Sequence, residues 1–253
     1  MTKNSAIFEA SQAAFIEFQA LEWKKNNISH GFCGKNLCPV RKDLSESVEL
    51  LCKTKGLSAV VIPVQEHTNQ VSVFSVEELL RINQLSLSKL IRPTGASDSV
   101  IITNHDLIPN NFAAGVITAD CVPILIHAKS SLAAIHAGWR GLASGIISET
   151  ISRLLFSDSS ELSILVGPCA GLKRYEVGEE VIVALGENAV FESSANPGKY
   201  LLDLAATAER LLKAAAPNAI LSSCYICTIS ETSFASYRRD QALIASNISY
   251  VSF

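Results

Sequence analysis

Residues 114–141 read AGVITADCVPILIHAKSSLAAIHAGWRG, and this stretch decides the architecture. It contains three apolar runs, 114–118, 123–127 and 132–136, joined by short polar links, and a fourth run at 99–103 precedes them. Runs this short, rich in Val and Ile, suit strands, and their nearly unbroken apolarity predicts a sheet buried on at least one face. After Gly138 the period changes. Leu142, Ile146, Ile147, Ile151 and Leu154 fall on one helical face.

Working outward, the pattern predicts a strand at 28–32, a helix around 44–55 and a β-branched strand run at 59–64. An alternating segment at 70–74 is placed to pair with that run. Further on come a helix at 203–216 and strands near 220–227 and 248–253. At the start, Ile7, Phe8, Ala13, Phe15, Ile16 and Leu21 recur at three- and four-residue steps, which predicts an amphipathic helix over 5–25 within a helical extension at 1–27. Strands alternating with helices make the fold class α/β, a mixed central sheet with flanking helices. No internal repeat or linker divides the chain, so the expectation is a single domain over 1–253.

The 253 residues are 48% hydrophobic and 18% charged, the composition of a well-packed globular protein. A net charge of −3 with scattered Lys and Arg offers no attraction to nucleic acid or anionic lipid. No run approaches membrane-spanning length, and acidic residues interrupt the N-terminal apolar stretch, unlike a secretory signal. The seven cysteines are odd in number and lack a disulfide-rich spacing. The expectation is a cytoplasmic protein with reduced thiols, acting on a small molecule rather than on nucleic acid or a membrane.

Chemistry concentrates where the strands end. Asp120 and Cys121 sit in the link between two strand runs, and His136 closes the third run before a glycine turn, Gly138-Trp139-Arg140-Gly141. If those strands are neighbours, Cys121 and His136 meet at one sheet end, and His67, following the 59–64 run, is a third candidate. One thiolate and two imidazoles suit Zn²⁺, and three protein ligands leave a fourth tetrahedral position open, as in catalytic sites. Taken singly, each residue reads as a core thiol or a hydrogen-bonded imidazole.

The neighbours have two readings each. Arg140, at a helix start, can hold an anion with the exposed backbone N–H groups, or form a surface ion pair. Asp120 can orient a ligand histidine or cap a turn. Trp139 can stack on a ring or join the core. Cys224 and Cys227 have C-x-x-C spacing, but on a strand-like run they point to opposite faces and read as core. Arg238-Arg239-Asp240 is an anion clamp or a solvated loop.

The motifs His30-Gly31-Phe32, Gln65-x-His67, Thr118-Ala119-Asp120-Cys121-x-Pro123, His136-Ala137-Gly138-Trp139-Arg140-Gly141, Gly167-Pro168, Tyr175-Glu176-Val177-Gly178-Glu179-Glu180-Val181, Cys227-Thr228 and Tyr237-Arg238-Arg239-Asp240 together resemble the YfiH family. That family was long labelled laccase-like polyphenol oxidoreductases and later described as purine nucleoside phosphorylases. The resemblance runs from about His30 to near Asp240. It implies an α/β fold shared with the catalytic domain of cytotoxic necrotizing factor toxins and a His-Cys-His metal site, by position His67, Cys121 and His136. It further implies phosphorolysis of adenosine, inosine, guanosine and methylthioadenosine, together with zinc-dependent adenosine deamination. Copper, as in the older label, fits poorly, since one Cys, two His and a single Met cannot supply a multicopper cluster.

The chain also departs from the family pattern. Lys35 stands where the family's HGF-x-T-R has Arg, keeping the charge but losing the bidentate fork. Leu172-Lys173-Arg174 replaces the usual residues before Tyr175, and the T-G-R segment after the Arg-Arg-Asp triplet is absent. For phosphorolysis the candidate phosphate holders are Arg140, Lys35 and Arg238 or Arg239. Two rivals remain open: a metal-free amidase or deamidase with Cys121 as nucleophile and His136 as base, and a non-catalytic partner that edits the specificity of cell-wall enzymes.

Overall fold

Every residue of the strands Phe112–Thr118 and Ser131–Ala137 is buried, and the cause is a layered arrangement that leaves neither face of either strand in water. The computed structural model describes residues 8–11, 14–86, 88–103, 111–157, 161–242 and 244–253. Side chains alternate across a strand. Leu125 of Val122–His127 and Leu132 and Ala134 of Ser131–Ala137 therefore point into one apolar cluster, while Ile124, Ile126, Ala133 and Ile135 point into another.

Two mixed sheets stack face to face. One has seven strands in the order Phe8–Ser11, Glu17–Ala20, Ser29–Cys38, Ser246–Ser252, Phe112–Thr118, Ala59–Val61 and Leu90–Ile91. The other has six, in the order Ile220–Ser223, Ser163–Val166, Val122–His127, Ser131–Ala137, Ser99–Thr103 and Val71–Ser75. Phe32, Phe112, Val116 and Val251 of the first meet Val100, Ile102, Leu125 and Leu165 of the second between the sheets. Helices Ile146–Ser157 and Leu204–Ala215 cover the outer face of the six-stranded sheet through Ile147, Ile151, Leu154, Ala208 and Leu212. Helix Leu44–Lys55 covers the seven-stranded sheet through Val48, Leu51 and Cys52. The mixed α/β class is thus borne out, with its strands shared between the two stacked sheets and a small three-stranded antiparallel sheet of Glu176–Gly178, Lys199–Leu202 and Phe191–Ser193. Among the described residues no helix is long and apolar enough to cross a membrane.

Several local expectations are corrected. The opening segment is not a helix over 5–25: Phe8–Ser11 and Glu17–Ala20 are paired strands, and only Leu21–Lys25 is helical. Residues 5–7, 12 and 13 of that predicted helix, and residues 1–4 before it, lie outside the described residues. The local spacing is overridden by tertiary contacts, because buried Glu17 pairs with Lys55 and accepts a hydrogen bond from the Tyr250 hydroxyl at 2.8 Å. Gly31 permits this, since a Cβ there would overlap the Glu17 carboxylate. The segment expected to pair with 59–64 instead forms Val71–Ser75, parallel to Ser99–Thr103 in the other sheet. The helix after Gly138 comes in two pieces, Trp139–Ala143 and Ile146–Ser157, broken at Gly145, whose φ of +87° suits glycine.

His30 lies fully buried in this frame. Its Nδ1–H donates to the Ile28 carbonyl at 2.8 Å, and its Nε2 accepts from the Ala20 N–H at 2.8 Å, which requires the neutral ring. Burial, helped by the charge of Lys55 and opposed by the Ile28 hydrogen bond, brings its pKa down from 6.5 to about 4. The unfolded chain therefore takes up this proton first on acidification. The stabilisation is complete above pH 6.5 and is lost as pH falls toward 4, a total of about 3 kcal/mol. An imidazole resonance of His30 followed by NMR should titrate near pH 4; a midpoint near 6.5 in the folded protein would refute this.

Candidate metal centre

The chain crosses from the seven-stranded sheet to the six-stranded one three times at the same end, between Val61 and Val71, between Ile91 and Ser99, and between Thr118 and Val122. His67 lies on the first crossing and Cys121 on the third. His136 stands one residue before the end of Ser131–Ala137, opposite Pro123 in the neighbouring strand. The three converge, with ligand atoms all within 4.8 Å of one another. Tetrahedral coordination with bonds of about 2.0 to 2.3 Å needs separations of roughly 3.5 Å. Cys121 Sγ and His67 Nε2 are 3.7 Å apart, and the two imidazoles meet edge to face with centroids at 4.8 Å.

Tight turns hold these groups. His67 has φ +61° and Asp120 φ +94°, both in the left-handed region that costs a side-chain-bearing residue energy. The His67 turn is fixed by Asp98, whose carboxylate accepts the N–H groups of Glu66 at 3.3 Å and His67 at 3.0 Å and the Thr68 hydroxyl at 2.9 Å. The same carboxylate accepts His136 Nδ1–H at 2.7 Å, which leaves Nε2 of that ring to face the centre. Gly138 completes the fit. A Cβ there would lie 2.8 Å from His67 Cδ2 and 2.9 Å from Cys121 Sγ, so any side chain would push two of the three groups apart.

Charge follows geometry. Burial by itself pushes the Cys121 thiol up, but the His136 charge and the hydrogen bonds from both histidines outweigh it and bring the pKa to about 6. For His136, burial pulls the pKa down, yet Cys121 and Asp98 raise it to about 9. Burial likewise opposes ionisation of Asp98, while His136 and Thr68 hold it at about 2. A thiolate beside two imidazoles, one fixed by a carboxylate, is a donor set that fits zinc.

The centre forms the floor of a cleft of about 390 Å³. Arg140 and Arg238 line it, as does Arg41, to which no sequence motif pointed. The Arg140 guanidinium lies over Trp139 at 4.3 Å, and that of Arg238 lies over Tyr175 at 5.0 Å while donating to the Glu176 carbonyl at 2.7 Å. Tyr237 adds a third ring. Thr118, only 3% exposed, also lines the cleft, and its buried hydroxyl has no hydrogen-bond partner among the described residues. A polar ligand would satisfy it.

Other expectations shift. Lys35 and Arg239 are not among the cleft-lining residues. Arg239 instead clasps its own loop, donating to Asp240 at 2.7 and 2.9 Å and to the carbonyls of Thr228 and Phe234 at 2.7 Å each. Asp120 accepts from the Thr228 hydroxyl and the Arg238 N–H, both at 2.7 Å, so the role of orienting a histidine falls to Asp98. Helix Trp139–Ala143 has five residues, too short for its dipole to add much, which leaves the Arg140 side chain as the cation at that turn. Cys224 and Cys227 lie beyond the end of Ile220–Ser223, in a turn where Tyr225 has φ +51°; they are half-buried, outside the trio, and not on a strand.

Comparison with known proteins supplies the context. Residues 29–252 match a family profile described as multi-copper polyphenol oxidoreductase laccase. A protein of Xylella fastidiosa (strain Temecula1) named purine nucleoside phosphorylase is 33% identical over 174 residues, covering 65% of this chain and 64% of that one. A protein of the same name from Xylella fastidiosa (strain 9a5c) is 32% identical over 219 residues, 83% of this chain and 78% of the relative. The crystal structure of a hypothetical protein, YfiH, from Bacillus licheniformis superposes with a TM-score of 0.79 over 97% of this chain and 98% of the other, at 21% identity, a likeness of fold.

Proposed function

Because the chain belongs to the family described as multi-copper polyphenol oxidoreductase laccase, and relatives at about one-third identity carry the name purine nucleoside phosphorylase, we propose that it is a zinc-dependent enzyme acting on purine nucleosides. The reaction is phosphorolysis of adenosine, inosine, guanosine or methylthioadenosine to the free base and ribose 1-phosphate, with adenosine deamination at the same centre. The observation that carries this reading is the convergence of His67, Cys121 and His136 beneath a cleft lined by guanidinium groups and aromatic rings.

For phosphorolysis, phosphate must be held beside the anomeric carbon while charge on the departing purine is stabilised. Arg140 and Arg238 supply positive charge at the cleft, and stacking on Trp139 and Tyr175 limits their freedom. Tyr175, Tyr237 and Trp139 offer faces on which a purine can stack. Cys121, His67 and His136 would hold zinc, which supplies a Lewis acid that makes water nucleophilic near neutral pH. His30 is committed to Ala20 and Ile28, and His127 stands at the far end of Val122–His127, so the donor set at the centre supports a single zinc over a multicopper cluster.

The test is to measure metal content of the purified protein and to assay the four nucleosides with and without phosphate, separating base, ribose 1-phosphate and deaminated product. Stoichiometric zinc with phosphate-dependent release of base is the expected result. Metal-free protein that leaves every nucleoside intact overturns the reading. A second reading draws on the line from Cys121 through His136 to Asp98, whose last link is 2.7 Å, because it is also the arrangement of a Cys-His hydrolase. Bound zinc would occupy the thiolate such a nucleophile needs, so metal content separates the two.

A further inference from the structure

Beyond Gln65 lies a second hollow, of about 270 Å³, bounded by Arg41, Leu44, Val64, Gln65, Arg92 and Ile117. Arg41, Gln65 and Ile117 border both it and the main cleft, so the two are neighbours. The rib between them is rigid. Gln65 Nε2 donates to the Ile117 carbonyl at 2.7 Å, and the Ile117 N–H donates back to Gln65 Oε1 at 2.9 Å.

The hollow has two guanidinium groups on its boundary and no carboxylate. Among the described residues, neither Arg41 nor Arg92 forms an ion pair. Arg92 is oriented by a bond from Nη1 to the Pro63 carbonyl at 2.6 Å, and Arg41 is anchored where its N–H donates to Ile244 O at 2.6 Å. Burial and the nearby charge of Arg41 both lower the pKa of Arg92, the signature of two cations facing one space. Leu44, Val64 and Ile117 form apolar walls that strengthen that repulsion relative to bulk water. Both arginines border one hollow, where a dianion would relieve the repulsion and accept planar N–H pairs from each side.

We propose that Arg41 and Arg92 form an anion subsite that holds a phosphate group at the edge of the cleft, beyond Gln65. The phosphate is either free orthophosphate or the ester of a nucleoside monophosphate whose base and sugar occupy the main cleft. The subsite stands on the Arg41–Arg92 hollow; only the ester arm rests on the proposed nucleoside reaction.

Calorimetric titration of the purified protein at low ionic strength, with inorganic phosphate, adenosine and adenosine 5′-monophosphate as separate probes, tests it. Arg92→Gln removes the charge and Arg92→Lys keeps it, and thermal melting of each variant checks that loss of the Pro63 bond leaves the fold intact. Binding of at least one phosphate probe should weaken about tenfold in Arg92→Gln and recover in part in Arg92→Lys, with adenosine affinity unchanged. If only the monophosphate responds, the ester is the ligand; if only inorganic phosphate responds, the free ion is. The proposal is overturned if neither phosphate probe binds the wild type, if both bind wild type and Arg92→Gln equally, or if adenosine weakens in step. Arg92-dependent binding in a protein that fails to phosphorolyse any nucleoside would sink the reaction and leave the subsite standing.

Discussion

Cys121→Ser should strip the protein of zinc while leaving its fold intact, because a hydroxyl of nearly equal volume stays protonated where the thiol ionises near pH 6. A loss of roughly two orders of magnitude in metal affinity is expected, read as zinc per chain after dialysis against a weak chelator. Deamination, which needs the Lewis acid, should suffer at least as much as phosphorolysis, which mainly needs oriented phosphate. Arg140→Ala should show the opposite bias, since it removes a phosphate holder and leaves the trio whole. A Cys121→Ser protein with full zinc and full deaminase activity would mean that Cys121 is not a ligand.

Asp98→Asn should be the most damaging change outside the trio. One carboxylate serves His136 Nδ1 and the turn at 66–68, and an amide offers a single acceptor oxygen and places N–H donors against N–H donors. The mismatch leaves buried groups unpaired, at a cost of about 3 kcal/mol. Zinc affinity should fall about 10- to 100-fold, because His136 loses the partner that sets its tautomer and His67 loses its turn. Metal competition with a chromophoric chelator and thermal melting of the apo-protein read the two effects separately. An unchanged zinc affinity would show that the carboxylate serves only the fold.

The contrast between Cys121 and Asp98 shows what could be read from the chain. Cys121 and His136 sit at the ends of apolar runs so regular that their strands and turns follow from composition alone, and the glycines after His136 mark its turn. Asp98 precedes the strand Ser99–Thr103 with nothing local to single it out. Its importance comes from antiparallel register, which sets Ile135 against Ser99 and brings the His136 N–H to the Asp98 carbonyl at 2.7 Å. Arg41 is a parallel case, reaching the cleft because its N–H is tied to Ile244, two hundred residues away in the chain. The misread N-terminal segment follows the same logic. Spacing at Phe15, Ile16 and Leu21 suits a helix, but Glu17 finds Lys55 and Tyr250 only when the segment is extended. The division into two sheets was hidden too, because a strand buried on both faces reads the same whether helices or a second sheet cover it.

The strand Ser246–Ser252 occupies the middle of the seven-stranded sheet, paired with Ser29–Cys38 on one side and Phe112–Thr118 on the other. During synthesis those two strands are made long before the one that must lie between them. Until residue 252 emerges, each presents an unpaired backbone edge and an apolar face, the features that invite pairing with the wrong chain. Closing that gap requires contacts across more than two hundred residues, so folding should be slow for the size of the protein and should depend on protection of the nascent chain.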